Sequence, residues 1–172
     1  MKKIFSVFVL FVIMISITGC GKENKPCAPD LNKIFTVNAA VESGKFKTEA
    51  LISRLGDNMW EAEISSPETL KGIKLSYSGE DITASYMGMS FSVPKNAAPV
   101  KGMMTMLFNA IDKSAALPEM PCIEDETTKT FSGETENGKF EITVDKSTGN
   151  LTGFEMPDND LKVVFTDYSV IQ

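Results

Sequence analysis

The 172-residue sequence predicts an α+β domain: a curved antiparallel β-sheet, a half-barrel of about nine strands, with one amphipathic helix packed across its concave face. Three observations lead there. Short runs alternate apolar and polar residues with period two. Gly- and Asn-bearing turns separate them. One segment switches to helical periodicity.

The alternation is clear in Trp60-Glu61-Ala62-Glu63-Ile64-Ser65, Ile73-Lys74-Leu75-Ser76-Tyr77 and Ile82-Thr83-Ala84-Ser85-Tyr86. It continues through Phe91 and Val93, then Phe140–Asp145 and Leu161–Phe165. Period two means one buried and one wetted face, the character of antiparallel sheets rather than of parallel ones. Ser43-Gly44, Gly56-Asp57-Asn58, Gly79-Glu80-Asp81, Asn137-Gly138 and Ser147–Asn150 fall between these runs, as hairpin turns require. From Val100 to Leu117 the pattern changes. Met103, Met106, Leu107, Ala110 and Ile111 repeat at i, i+3, i+4, i+7 and i+8, bracketed by Pro99 and Pro118. A helix with one apolar stripe needs a surface to cover, and the concave face of the sheet offers one.

The N-terminus carries a different signal. Met1-Lys2-Lys3 is a basic start, Ile4–Ile17 an apolar run broken only by Ser6 and Ser16, and Ile17-Thr18-Gly19-Cys20 a small-residue ending. These are the parts of a secretory signal peptide, and the run is shorter than the ~20 residues of a membrane-spanning helix. The ending resembles a lipobox. That resemblance implies cleavage after residue 19 and a diacylglyceryl thioether on Cys20, the only prosthetic group expected; no other cofactor is called for. The expected organisation is therefore a signal peptide over 1–19, a flexible tether over 20–32 and one folded domain over 33–172. The location follows: lipid-anchored on the extracytoplasmic face of the cell membrane. Two acyl chains hold stably where one does not.

Composition narrows the function. Two of the 17 Lys+Arg lie in the leader, so the mature chain sets 15 against 23 Asp+Glu, a net charge near −8. Such a chain does not suit nucleic acid, whose affinity comes from neutralising phosphates. It contains no histidine. That excludes Ser-His-Asp and Cys-His catalysis, imidazole-held zinc and His-ligated haem. No catalytic residues and no metal ligand set are expected, and the chain is not read as an enzyme. Glu124-Asp125-Glu126 and Asp145–Asn150 lack the Asp-x-Asp-x-Asp-Gly spacing of a calcium loop and read as solvated turns. Besides Cys20, the cysteines are Cys27 and Cys122. In an exported chain they can bridge, stapling the entry segment to the far side of the domain, or stay as two thiols.

Met59-Trp60 through Ser66-Pro67 with Leu70–Ile73, Tyr77–Gly79 through Tyr86–Gly88, and Asp145–Gly149 with Phe154–Pro157 follow one another in an order that resembles the LolA/LolB/RseB superfamily. Within it the chain looks like the Gram-positive branch of the germination lipoprotein GerS. The resemblance covers most of the folded region. It implies an apolar cavity between sheet and helix, used by carriers for acyl chains and by other members for protein partners. The chain departs from the soluble carriers in its own anchor and in lacking a long helix before the first strand. The residues expected to line a groove are Trp60, Ala62, Ile64, Leu75, Tyr77, Tyr86, Met103, Leu107 and Ile111. The same residues also fit a filled core, as do the many methionines. Two functions therefore stand side by side: binding of a lipid or acyl chain in that groove, and a scaffold for an exported protein such as a cell-wall enzyme.

Overall fold

The computed structural model describes residues 25–79, 81–94 and 102–171. The leader, Cys20 and residues 100–101 at the expected start of the helix lie outside them. The described chain forms twelve strands, one α-helix and a 3₁₀ turn at Pro157–Asn159. The strands are β1 (Lys25–Cys27), β2 (Phe35–Ser43), β3 (Phe46–Gly56), β4 (Met59–Ser66), β5 (Lys74–Ser78), β6 (Asp81–Tyr86) and β7 (Met89–Pro94). After the helix α1 (Met103–Ala115) come β8 (Met120–Glu124), β9 (Thr128–Thr135), β10 (Gly138–Asp145), β11 (Leu151–Met156) and β12 (Leu161–Val170).

All twelve join in one open, antiparallel sheet in the order β1-β8-β9-β10-β11-β12-β2-β3-β4-β5-β6-β7. Two meanders of hairpins meet where β12 pairs with β2, aligning Val163 with Val41 and Phe165 with Ala39. The sheet thus ends in β1 on one side and β7 on the other. The chain leaves the β7 margin and re-enters beside the β1 margin, and α1 lies on that path. This connection is why the helix crosses the concave face.

The sheet has more strands than the nine expected. β2 alternates as regularly as the others, β3 keeps its inward residues Thr48, Ala50, Ile52 and Arg54 buried, and β9, with only Phe131 buried, has no such period. Residues 120–124, which hold Cys122 and follow Pro118, form β8. Pro26 faces Pro121 across the β1–β8 pair, and pairing with β9 begins only at Cys122. Alternate antiparallel pairs exchange no hydrogen bonds, so two prolines are tolerated there. The expected tether is likewise shortened. Lys25–Cys27 is a strand, and Leu31 is buried in the core. A three-residue strand has no readable period; its pairing with β8 creates it.

Period two holds through the core. Val37, Ala39, Val41, Ala50, Ile52, Trp60 and Ala62 of one meander and Phe140, Ile142, Phe154, Met156, Leu161 and Val163 of the other are buried on the concave face. Gly133 on β9 leaves room for the Phe140 ring opposite it; a β-carbon there would collide with that ring. The helix starts at Gly102 without a side-chain cap and ends where the Ala116 N–H donates to the Asp112 carbonyl. Nine of its thirteen residues are buried, among them Met104, Met106 and Phe108 as well as Leu107 and Ile111. One apolar stripe was expected. The curved sheet wraps the helix, so it is apolar on more than one side.

Candidate functional site

The residues expected to form a groove come together as a packed core at the β4–β5–α1 contact. Trp60 pairs with Tyr77 and Ala62 with Leu75 across β4 and β5. Trp60, Ala62, Ile64, Leu107 and Ile111 are buried. Leu75, Tyr77 and Met103 are half-buried and pack against the same core. The Trp60 ring stacks on Phe108 at 4.5 Å with 9° between planes, and Tyr77 meets Phe108 edge-on at 4.9 Å. Phe35 completes the cluster, edge-on to Trp60 at 5.8 Å and stacked on Tyr168 at 4.7 Å. Such ring pairs contribute about 0.5–1.5 kcal/mol each beyond their buried area. Burial pushes the Tyr77 hydroxyl up, partly offset by a hydrogen bond with Thr105. Burial also takes Tyr168 to about 12 against the lowering influence of Arg54. Phe108 escaped the sequence reading because it sits one residue off the predicted stripe.

Tyr86 does not join this cluster. Its parity places it on the concave face, but it is 42% exposed. Its ring lies instead near Gly72.

One polar network anchors the helix to the sheet. The buried Arg54 guanidinium donates from Nε and Nη2 to Asp112 Oδ1 at 3.3 and 3.2 Å, and from Nη2 to Asp57 at 2.8 Å. Its Nη1 donates to the Lys33 carbonyl at 3.2 Å. The Trp60 indole Nε1 donates to Asp112 Oδ2 at 2.8 Å, and the guanidinium carbon sits 5.7 Å from the Trp60 ring centre. Asp112 is thus shared by β3, β4 and α1. Replacing it with alanine leaves the guanidinium without its helix partner and the indole N–H unpaired. The expected loss is about 3 kcal/mol, a fall in Tm of about 10 °C. Calorimetry checks it, and Asp112→Asn, which can still accept from the indole, is expected to lose less.

Beside Asp112 the mouth of the half-barrel is a polar cleft of about 520 Å³ lined by Asn58, Asn109, Lys113, Thr135, Glu136 and Asn137. Lys113 donates there to the Glu134 carbonyl at 2.7 Å. Carboxamides and charges line this opening, not the apolar wall that an acyl chain needs.

At the β1–β8 margin Cys27 and Cys122 form a disulfide that closes a 95-residue separation. Their sulfurs and the Glu124 carboxylate are the one convergent group of potential metal ligands among the described residues. Sulfurs joined to each other offer no thiolate to a metal. Glu124 is already bridged by Lys146 at 2.7 Å and Lys129 at 3.2 Å, which hold its carboxyl below the usual range. Asp145 caps its own turn, accepting from the backbone N–H and hydroxyl groups of Ser147 and Thr148. Those bonds hold it at about 2.

The apolar surface left open lies at the opposite margin. Register carries the concave face outward from Leu75 to Ala84 and on to Phe91, with Tyr86 opposite Met89. Met87 at the β6–β7 turn is 82% exposed, Met89 69% and Phe91 67%. The sequence showed Tyr86 and Phe91 in alternating runs; nothing in it showed that they stay exposed.

No protein-family model matches the sequence, and no curated protein matches it. Among solved structures the chain is similar to an uncharacterized conserved protein from Thermus thermophilus, with 9% identity over 83% of this chain and 81% of that one, at a TM-score of 0.48. It is also similar to a LolA superfamily protein from Nitrosomonas europaea, with 10% identity over 84% and 90% of the two chains, at a TM-score of 0.43. At these identities and scores nothing about activity passes from either protein to this one.

Proposed function

We propose that this chain is an exported, lipid-anchored and non-catalytic binding module, and that it holds an apolar ligand on the uncovered β5–β7 end of its concave face. The anchor rests on the lipobox-like ending at Cys20, and the non-catalytic reading on the absence of histidine. The site rests on one observation: Tyr86, Met87, Met89 and Phe91 crowd large, exposed apolar side chains onto one hairpin. Contiguous exposed apolar surface of this kind marks binding faces. The seam under the helix, where a groove was expected, is taken by the side chains of Trp60, Phe108, Leu107 and Ile111. An acyl chain or other apolar ligand would therefore lie further along the same face, over the β5–β7 end. The GerS-like assignment gains no separate support.

The test uses the chain from Gly21 to Gln172, which contains every described strand and the helix, with 1-anilinonaphthalene-8-sulfonate as probe. Wild type is expected to enhance the probe's fluorescence. A Met89→Lys/Phe91→Lys variant is expected to bind it about a hundredfold more weakly, since each of the two side chains contributes on the order of 1.5 kcal/mol when covered. Because both positions are exposed, Tm should hold. Unchanged probe binding in a folded variant removes this face as the site.

A further inference from the structure

β7 is the end strand of the sheet, so among the described residues one side of its backbone has no neighbouring strand. Edges of this kind are normally blunted by lysine, by an inward charge or by a bulge. Along the described residues of β7, Met89–Pro94, none of these is present. From Ile82 to Pro94 there is no charged residue, in a chain that is 23% charged. The β6–β7 pair runs from Asp81↔Pro94 to Tyr86↔Met89 without a register shift. Pro94 interrupts the edge only at its last position. Along this edge the residues alternate in orientation, Met89 and Phe91 toward the concave face and Ser90 and Ser92 away from it.

We infer that the occupant of this face is an extended, uncharged segment of an exported polypeptide, which adds to β7 as a thirteenth strand. The inference rests on the reading of the β5–β7 end as a binding surface and names its partner. A strand meets both demands of the site at once. Its backbone takes up the free N–H and C=O groups of β7, and its alternate side chains cover Met89 and Phe91. An acyl chain could satisfy only the second, and on an open face it would stay half in water. From Ile82 to Pro94 the hairpin has no charge to offset the desolvation of a charged side chain laid against it, which favours a segment without charges. Lipid attachment at Cys20 would hold the other margin. Lys25 is five residues on from Cys20, so β1 could lie no more than about 18 Å from the anchor. β7 is left as the margin that the anchor does not hold.

The experiment uses the Gly21–Gln172 chain and a fluorescein-labelled octapeptide of alternating valine and threonine, followed by anisotropy. Two further peptides carry N-methyl groups on alternate residues, one in each phase. The expected result is that the parent peptide binds, one methylated phase binds at least about tenfold more weakly, and the other is tolerated, because only one edge of an added strand faces β7. Met89→Lys/Phe91→Lys weakens the parent peptide as well. Equal binding of all three peptides shows side-chain contact without strand pairing and overturns the inference. Failure of every peptide, with the naphthalene probe still bound and still lost in the lysine variant, also overturns it while leaving the apolar-face reading intact. Failure of peptides and probe together removes both. A concentration-dependent dimer that the lysine variant dissociates and that excludes the peptide assigns the edge to a second copy instead, and overturns the inference.

Discussion

A Leu107→Asn/Ile111→Asn double variant is expected to unfold the domain. Each side chain is 1% exposed and lies between the helix and the sheet. Replacing either removes buried apolar area and puts a carboxamide where no partner waits, at about 4 kcal/mol per site. Two such losses reach the range of a whole domain's stability, ~5–15 kcal/mol. Trp60 fluorescence and near-UV circular dichroism report the outcome, because the Trp60–Phe108 stack forms only when the helix is docked. A double variant that keeps the native spectra and merely stops binding an apolar probe would show that the seam is a ligand groove, and the assignment of these residues to the core would fall.

Cys27→Ser/Cys122→Ser is expected to cost about 4 kcal/mol, roughly 10 °C in Tm, even though little of the folded structure depends on the bridge. β1 has three residues and pairs only with β8. The loss arises in the unfolded chain, where a closure spanning 95 residues no longer limits conformations. Urea melts of the double-serine variant beside oxidised wild type measure it. A shift below about 1 kcal/mol would mean that the unfolded chain stays compact without the bridge and that loop closure is not the source of stability. β1 is also expected to gain protease sensitivity in the variant, since a three-residue strand has little else to hold it.

These two results separate what period encodes from what packing decides. Alternation in Trp60–Ser65, Ile73–Tyr77 and Ile82–Tyr86 placed the right side chains on one face, because a strand turns each successive residue over whatever its surroundings. The spacing of Met103 to Ile111 likewise marked the helix, and the absence of histidine bounded the chemistry. The distinction between groove and core was beyond reach, since a filled seam and an open one bury the same residues. Phe108 shows why. Its place off the predicted stripe mattered little to the pattern but fills the space over Trp60, because the sheet curls far enough to cover a second side of the helix.

Arg54 and Asp112, 58 residues apart, carried no mutual signal in the sequence. Only the helix's crossing angle brings the carboxylate over β3 and β4. The short β1 was invisible for the same reason, because its pairing partner β8 lies 95 residues on. Tyr86 is the sharpest case. Its face was determined by the sequence, through parity, while its exposure was decided by tertiary structure, through what the rest of the chain packs over that end of the sheet. The sequence by itself determined which side chains share a face. Where that face is sealed and where it stays open for a partner was decided by packing, because burial depends on elements distant in the chain and periodicity is local.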